Sequence, residues 1–354
     1  MEFIHRSISL KVLIFIAIIS LFAIGYFNVF RSEAHHSTLL PGNQAHMLKQ
    51  VAFINLPGEK GKRFDYLTID YKDHYLLSAH LGAGLLYVIN MKTNQLVKAI
   101  PDCPGAEGVQ FVPELNKAYT SNWYDHTVGV IDLNQMKVIK KIMLKNKPDG
   151  SAYAPPFKKL YVSDERAKMV FVINVMNDSV VKTLLFTGET GMPQYDFLAR
   201  RIYVNLQDEN TLAVINPVND SVEARYPVGE HHGNHGMALD VRHRLAFLSC
   251  EDDNYMTVFN LTTHKPVASL KMADEPDVIK YDPGLKRIYA ACYSGAISVF
   301  LEADSAHFNK LEDFPVQKKV HSIAVDTLSH IVYAPEQEEN GLPVARMEVY
   351  DAIY

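Results

Sequence analysis

The sequence predicts an all-β protein: a seven-bladed β-propeller whose N-terminal strand closes the last blade, preceded by one N-terminal hydrophobic helix. Three observations predict it. A repeat of about 42 residues runs through the chain, each copy contains four short strand-like segments, and a charge-free apolar run lies near the N-terminus.

The N-terminal element comes first. Residues 12–30 form an apolar run of 19 without a charge, preceded by Arg6 and Lys11. As a helix at ~1.5 Å per residue it spans ~28 Å, close to the hydrocarbon thickness of a bilayer. Positive charge before the run predicts its start inside and the body outside. Residues 1–34 therefore read as a cleaved signal peptide, with Ser32-Glu33-Ala34 as the small-x-small site, or as an uncleaved signal anchor. Both readings export the body to a periplasm or cell envelope. The polar stretch 35–47, with Pro41 and Gly42, reads as a linker.

Residues 48–354 carry the repeat. One aromatic or apolar column recurs as Leu77, Tyr119, Tyr161, Tyr203, Phe247, Tyr289 and Tyr333. A valine column follows at Val88, Val130, Val172, Val214, Val258, Val299 and Val349. Seven residues before the first column stand Asp70, Val112, Ala154, Asp196, Asp240, Asp282 and Asp326. The third copy shows the strands: a short apolar segment after Asp149, then 159–164, 169–175 and 179–186, rich in β-branched and aromatic residues and parted by turn residues. Four strands per 40–45 residues is the pattern of propeller blades. The seventh copy supplies only three strands before the chain stops. Residues 49–58 resemble the outer strand 95–101, so the N-terminal strand is expected to supply the fourth.

The segments LYVSD (160–164), VFVINV (171–175) and RIYVNL (201–206) resemble the YVTN-repeat β-propeller family. The phrases FDYLTID (64–70), YVNLQDENTLAVIN (203–216), PDVIKYDP (276–283) and HSIAVD (321–326) are similar to its exported, YncE-like branch. The resemblance spans 48–354. It implies a seven-bladed propeller in the cell envelope, and surface, binding or scaffold roles rather than one chemistry.

Candidate site residues follow from the geometry of a propeller, whose innermost strands line a central channel. Five residues before the Asp70 column stand Asp65, Glu107, Asp149, Gly191, His235, Asp277 and His321. Equivalent positions converge on the axis, so Asp65, Glu107, Asp149, His235, Asp277 and His321 are candidate ligands for a divalent cation, with His235, Asp277 and His321 as the consecutive trio. The alternative is a hydrated mouth whose polar groups bond to water and backbone. The tract 229–237, with His231, His232 and His235, is a second metal candidate and equally an inter-blade loop. A second ring, His80, Asn122, Asp164, Leu206, Cys250, Cys292 and Glu336, precedes loops on the same face. From it and its loops His80, Asp164 and Trp123, the single tryptophan, are candidate ligand-binding residues.

Three cysteines form no disulfide framework. Cys250 and Cys292 hold equivalent places on neighbouring blades, where either a bridge or two buried thiols fits, and Cys103 lies in a loop, where exposure is expected. The sequence holds no GxSxG elbow, P-loop, dinucleotide fingerprint or CxxC motif. The net charge is −5, and −6 once the N-terminal 34 residues are set aside, which opposes nucleic-acid binding despite the basic runs 137–147 and 158–159. The expected function is an exported, noncatalytic binding or scaffold protein whose channel mouth receives a small molecule or protein partner. A metal-dependent, lactonase-like hydrolase or lyase at the same mouth is the alternative.

Overall fold

The computed structural model describes residues 46–353. The apolar run 12–30, with its helix, cleavage site or anchor, lies outside the described residues. Within them the chain forms seven four-stranded antiparallel sheets, six of them ordered from an inner strand to an outer strand in sequence. Blade 1 starts at Leu67–Asp70, blade 2 at Ala106–Val112, blade 3 at Ser151–Ala154, blade 4 at Thr190–Asp196, blade 5 at Asn234–Asp240, blade 6 at Pro276–Asp282 and blade 7 at Ala324–Asp326.

Blade 7 is composite. Its outer strand, Leu48–Asn55, pairs antiparallel with the C-terminal strand Leu342–Ala352, from Leu48 opposite Ala352 to Asn55 opposite Arg346. The first and last strands of the described chain thus share one sheet, and the seam adds the backbone bonds Leu56 N to Ala345 O and Ile353 N to Met47 O. Joined this way, blade 7 has the same four strands as the other blades.

Each repeat column has a physical cause. The two middle strands of a blade are sandwiched between neighbouring blades, so Leu76 to His80 and Leu86 to Ile89 are almost wholly buried. Outer strands such as Lys137–Met143 alternate exposed and covered positions, as a half-solvated strand must. The Asp column makes turns: Asp70, Asp196, Asp240 and Asp282 each accept backbone N–H bonds two residues on, at 2.9 Å. The Tyr column ties blades together. The Tyr119 hydroxyl donates to Asp178 at 2.5 Å and the Tyr161 hydroxyl to Asp220 at 2.5 Å, one blade on. Lys117 and Lys159 pair with the same two aspartates at 2.8 and 2.6 Å. Lys158 pairs with Glu114 and Lys141 with Asp102 and Asp125, so three lysines of the basic runs, Lys141, Lys158 and Lys159, have carboxylate partners.

Glycine appears where inner strands nearly touch. A Cβ on Gly108 would lie 2.3 Å from Asp149 O, and one on Gly236 would lie 2.3 Å from Asp277 O. Both glycines follow a mouth residue directly, so they set how closely adjacent blades approach at the mouth.

Deleting residues 48–55 removes one strand of blade 7 together with buried Leu48 and Ile54. The melting temperature of the whole propeller should fall by roughly 10 °C or more, measured by circular dichroism, because every blade leans on the ring. A deletion variant that melts with the parent would refute the closing role of this strand.

Candidate functional site

The mouth is built where each inner strand begins: Glu107, Gly191, His235 and Asp277 are the second residues of their strands, and Asp65, Asp149 and His321 stand two or three residues before theirs. In blades 2, 4, 5 and 6 the pairing with the next strand slips just there, between Ala106 and Val109, Thr190 and Pro193, Asn234 and Met237, and Pro276 and Ile279. Such a bulge breaks the two-residue alternation and re-aims the side chain beside it. Short polar side chains of the adjacent strand hold the irregular backbone. Asn205 Nδ2 donates to His235 O at 2.8 Å, Ser249 Oγ donates to Asp277 O at 2.6 Å, and Gly236 N donates to Ser249 Oγ at 3.0 Å.

Half of the ring closes into a contact network. Asp277 lies at its centre: Oδ2 is 2.6 Å from His321 Nδ1, and Oδ1 is 3.4 Å from His235 Nε2. His321 Nε2 lies 2.6 Å from Phe64 O, so it carries a proton, and His321 with both nitrogens bonded to acceptors is an imidazolium. Arg63 Nε stands 3.3 Å from His321 Nε2, where it acts as a like charge, while Nη2 pairs with Asp65 at 3.1 Å. The Tyr66 hydroxyl is 3.1 Å from His235 Nε2. Glu251, from the loop after the second strand of blade 5, reaches within 4.0 Å of His235 Nδ1. His235, Glu251 and Asp277 can each offer one ligand atom, all within 4.8 Å of one another. A cavity of about 360 Å³ lies over Asp277, Glu251 and His321, rimmed by Arg63, Asp252, Glu275 and Tyr293.

The other half of the ring is an acid store. Burial pushes Asp149 up to about 8, with Asp65 adding to the rise and His235 opposing it. Burial, then Asp149 and Asp65, drive Glu107 up to about 11. Burial also raises Asp65, against the pull of Arg63 and His321. Asp277 goes the other way: burial would raise it, but His321, His235 and Arg63 outweigh that and bring it down to about 2. Burial opposes charge on His235, yet Glu251, Asp277, Asp149 and Glu165 together lift it to about 10. Protons therefore stand in for counter-ions at the converging carboxylates.

The six ring candidates do converge, but into two groups. Asp277 joins His235 on one side and His321 on the other, while Glu107 and Asp149 belong to the acid store and Asp65 links the two through Arg63. Glu251 stands where the expected trio had His321, which instead orients Asp277. His80 is wholly buried, bonded to the Tyr87 hydroxyl at 2.8 Å and Lys62 O at 3.2 Å, and stacked on Phe64 at 3.9 Å. Burial pushes its pKa down to about 4, so it is neutral. Asp164 is 1% exposed and caps Ala167 N at 3.0 Å. Neither side chain meets the mouth. Trp123 is half-buried under Lys147, whose Nζ stands 3.3 Å above the ring. His231 is locked to Asp253 at 2.7 Å and stacked on Tyr255, while His232 is exposed.

All three cysteines are buried and free, so Cys103 is covered rather than exposed. Cys250 and Cys292 turn to Thr257 and Ser298 of their own blades at 3.6 Å, which favours two thiols over a bridge. A second acid–histidine group, Asp240, His243 and Glu302, sits at the opposite face. There His243 Nδ1 already bonds both carboxylates, at 2.6 and 2.9 Å.

No family model and no curated protein matches the chain. Solved structures do. The WD40 repeats of RRP9 superpose with a TM-score of 0.71 at 12% identity, covering 85% of this chain and 99% of that one. U3-55K superposes with a TM-score of 0.71 at 11% identity, covering 87% and 99%. At such identity the likeness shows the fold, a seven-bladed WD40-like propeller.

The acid store gives stability a definite pH slope. A carboxyl whose folded pKa lies above its unfolded value keeps a proton that the unfolded chain releases, so stability is full below about pH 4 and falls as pH climbs through the folded pKa. For Asp149 that window runs from about 4 to about 8. The melting temperature should therefore drop between pH 6 and pH 9, and Asp149→Asn should flatten the drop and melt higher than the parent at pH 9. A variant as steep as the parent in differential scanning fluorimetry would remove Asp149 from the cause.

Proposed function

We propose that this chain is an exported, noncatalytic binding platform of the YVTN-repeat, YncE-like kind, which receives a small molecule or protein partner at its channel mouth. A divalent cation anchored by His235, Glu251 and Asp277 is part of that reading. The observation that carries it is the meeting of one imidazole and two carboxylates within 4.8 Å, with the two carboxylates, Glu251 and Asp277, lining a cavity of about 360 Å³.

The donor set points to the class of cation. Imidazole favours zinc, iron or nickel over calcium, and carboxylates also suit manganese. His321 supports the site from behind by donating to the second oxygen of Asp277, as outer partners of metal-binding carboxylates do. Three protein ligands beside an open cavity leave room for a donor from the partner. The rim of Asp252 and Glu275 beside Arg63 then selects by charge. Export rests on the run 12–30 behind Arg6 and Lys11, and the family reading on the phrases quoted above. Net negative charge and an acidic mouth disfavour phosphate backbones as partners. The same open position supports a second reading, metal-dependent hydrolysis or lysis, with the cation polarising a substrate carbonyl.

Calorimetric titration of the chelator-treated full-length chain with Zn²⁺ or Mn²⁺ should give one equivalent bound. His235→Ala and Asp277→Asn should each weaken it at least tenfold, and His243→Ala, on the other face, should not. No stoichiometric binding, or loss only in His243→Ala, would overturn the cation site. Turnover of a lactone that requires the cation would favour the hydrolase reading over the noncatalytic one.

A further inference from the structure

The channel beyond the mouth carries different chemistry. A cavity of about 480 Å³ is lined by inner strands of five blades, from Tyr66 in blade 1 to Lys280 in blade 6. Its wall includes Pro113, Pro155 and Phe197, which sit in the turns that follow the inner strands. It therefore opens at the face opposite the acidic mouth.

The column three residues after the mouth ring reads Thr68, Gln110, Ala152, Gln194, Ala238, Lys280 and Ala324. Lys280 is its only charge. The slip in register between Pro276 and Ile279 lets both Asp277 and Lys280 serve the channel, although regular alternation would put them on opposite faces of the strand. The Lys280 amine forms no hydrogen bond or ion pair with any described residue. Burial is what pushes its pKa down, to about 8, and no carboxylate contributes. Three residues of strand place Asp277 ~10 Å away, so the mouth acids are not its counter-ion. Elsewhere this protein pairs its inward lysines: Lys117 and Lys159 each meet an aspartate. A half-buried amine left unpaired in an open cavity is less well solvated than one at the surface, and an anion brought to it gains a charge-assisted hydrogen bond.

Around Lys280 the wall is of two kinds. Gln110, Gln194 and Thr68 supply neutral hydrogen-bonding groups, while Phe111, Met192 and Phe197 supply apolar surface. The volume falls in the range of small-molecule sites, and the wall offers polar and apolar surface in about equal measure, as an amphiphilic ligand needs.

We propose that this channel cavity binds a small organic carboxylate, its anionic group on Lys280 Nζ and its apolar or aromatic body against Phe111, Met192 and Phe197. The site is separate from the mouth and needs no metal. Lys280 acts as a point charge, and the amides of Gln110 and Gln194 orient the carboxylate.

The test uses the full-length chain and benzoate as probe, with benzamide as its neutral isostere, followed by ligand-observed NMR titration. Benzoate should bind in the millimolar range or tighter and at least tenfold more tightly than benzamide. Lys280→Met should lose the preference for benzoate while benzamide binding stays, and Lys280→Arg should retain part of it. His235→Ala should leave benzoate binding unchanged, because the mouth imidazoles are not involved. Melting curves separate loss of the charge from loss of the fold, and Lys280→Met, which removes an unpaired half-buried amine, should melt no lower than the parent. Equal affinity for benzoate and benzamide, an unaltered preference in Lys280→Met, loss of benzoate binding in His235→Ala, or no benzoate binding at 20 mM would each overturn the proposal.

Discussion

Seven inner strands brought to one axis turn their channel-facing repeat positions toward one another, and that convergence governs the rest of this protein. A side chain that is harmless once becomes a problem seven times over. Away from the axis, on the middle strands that carry the Tyr and Val columns, the repeated apolar positions pack in separate clusters that join blade to blade. Where the repeated position is acidic, as at the mouth, carboxylates crowd and must be neutralised. The structure answers with two devices. Arg63, His235 and His321 neutralise by charge, so Asp277 is held well below the ordinary carboxylate range. Protons neutralise the others, so Glu107 and Asp149 rise far above it.

The ring itself is held by directional ties as well as by burial. Tyr119 and Tyr161 each send a hydroxyl to an aspartate in the next blade, and the lysine two residues before each tyrosine doubles the contact. Blades 4 and 5 use another pair, Asp196 with Arg244, and blades 6 and 7 use Asp282 with His330. One seam is thus written with several residue pairs. This explains why the aromatic column is legible while its partners are not: the aspartate acceptors of Tyr119 and Tyr161 each lie 59 residues on, beyond any local pattern, and other seams use different residue pairs.

The fold was almost wholly legible because its signal is periodic and long. Columns at steps of 42 to 44 residues carry strand order, turn position and blade number together. The mouth was legible in outline, since counting back from the Asp column reaches Asp65, His235, Asp277 and His321 without any structure. Its detail was not. Glu251 belongs to a loop whose reach depends on the blade-5 bulge, and a bulge leaves no mark in the pattern of apolar residues. His80 and Asp164 illustrate the opposite error. A polar residue at the end of a strand reads as accessible, yet both are packed beneath their own loops, with hydrogen bonds to Tyr87 and Ala167 that only the folded chain reveals. Exposure of Cys103 failed for the same reason: a loop between blades is covered by the blades it joins.

Convergence also explains why the channel has two ends of opposite character. At the mouth the position is acidic or histidine in six copies, so charge accumulates and the site takes cations or protons. Three residues further on, the position is neutral in six copies and charged only at Lys280, so nothing accumulates and one ammonium stands alone. Tyr66 borders both regions, touching His235 with its hydroxyl while lining the deeper cavity. Burial pushes the Lys280 amine down to about 8, and no carboxylate lies within ion-pair distance of it among the described residues. A repeated scaffold therefore supports two independent sites on one axis, provided that one ring is filled by repetition and the other by a single exception to it.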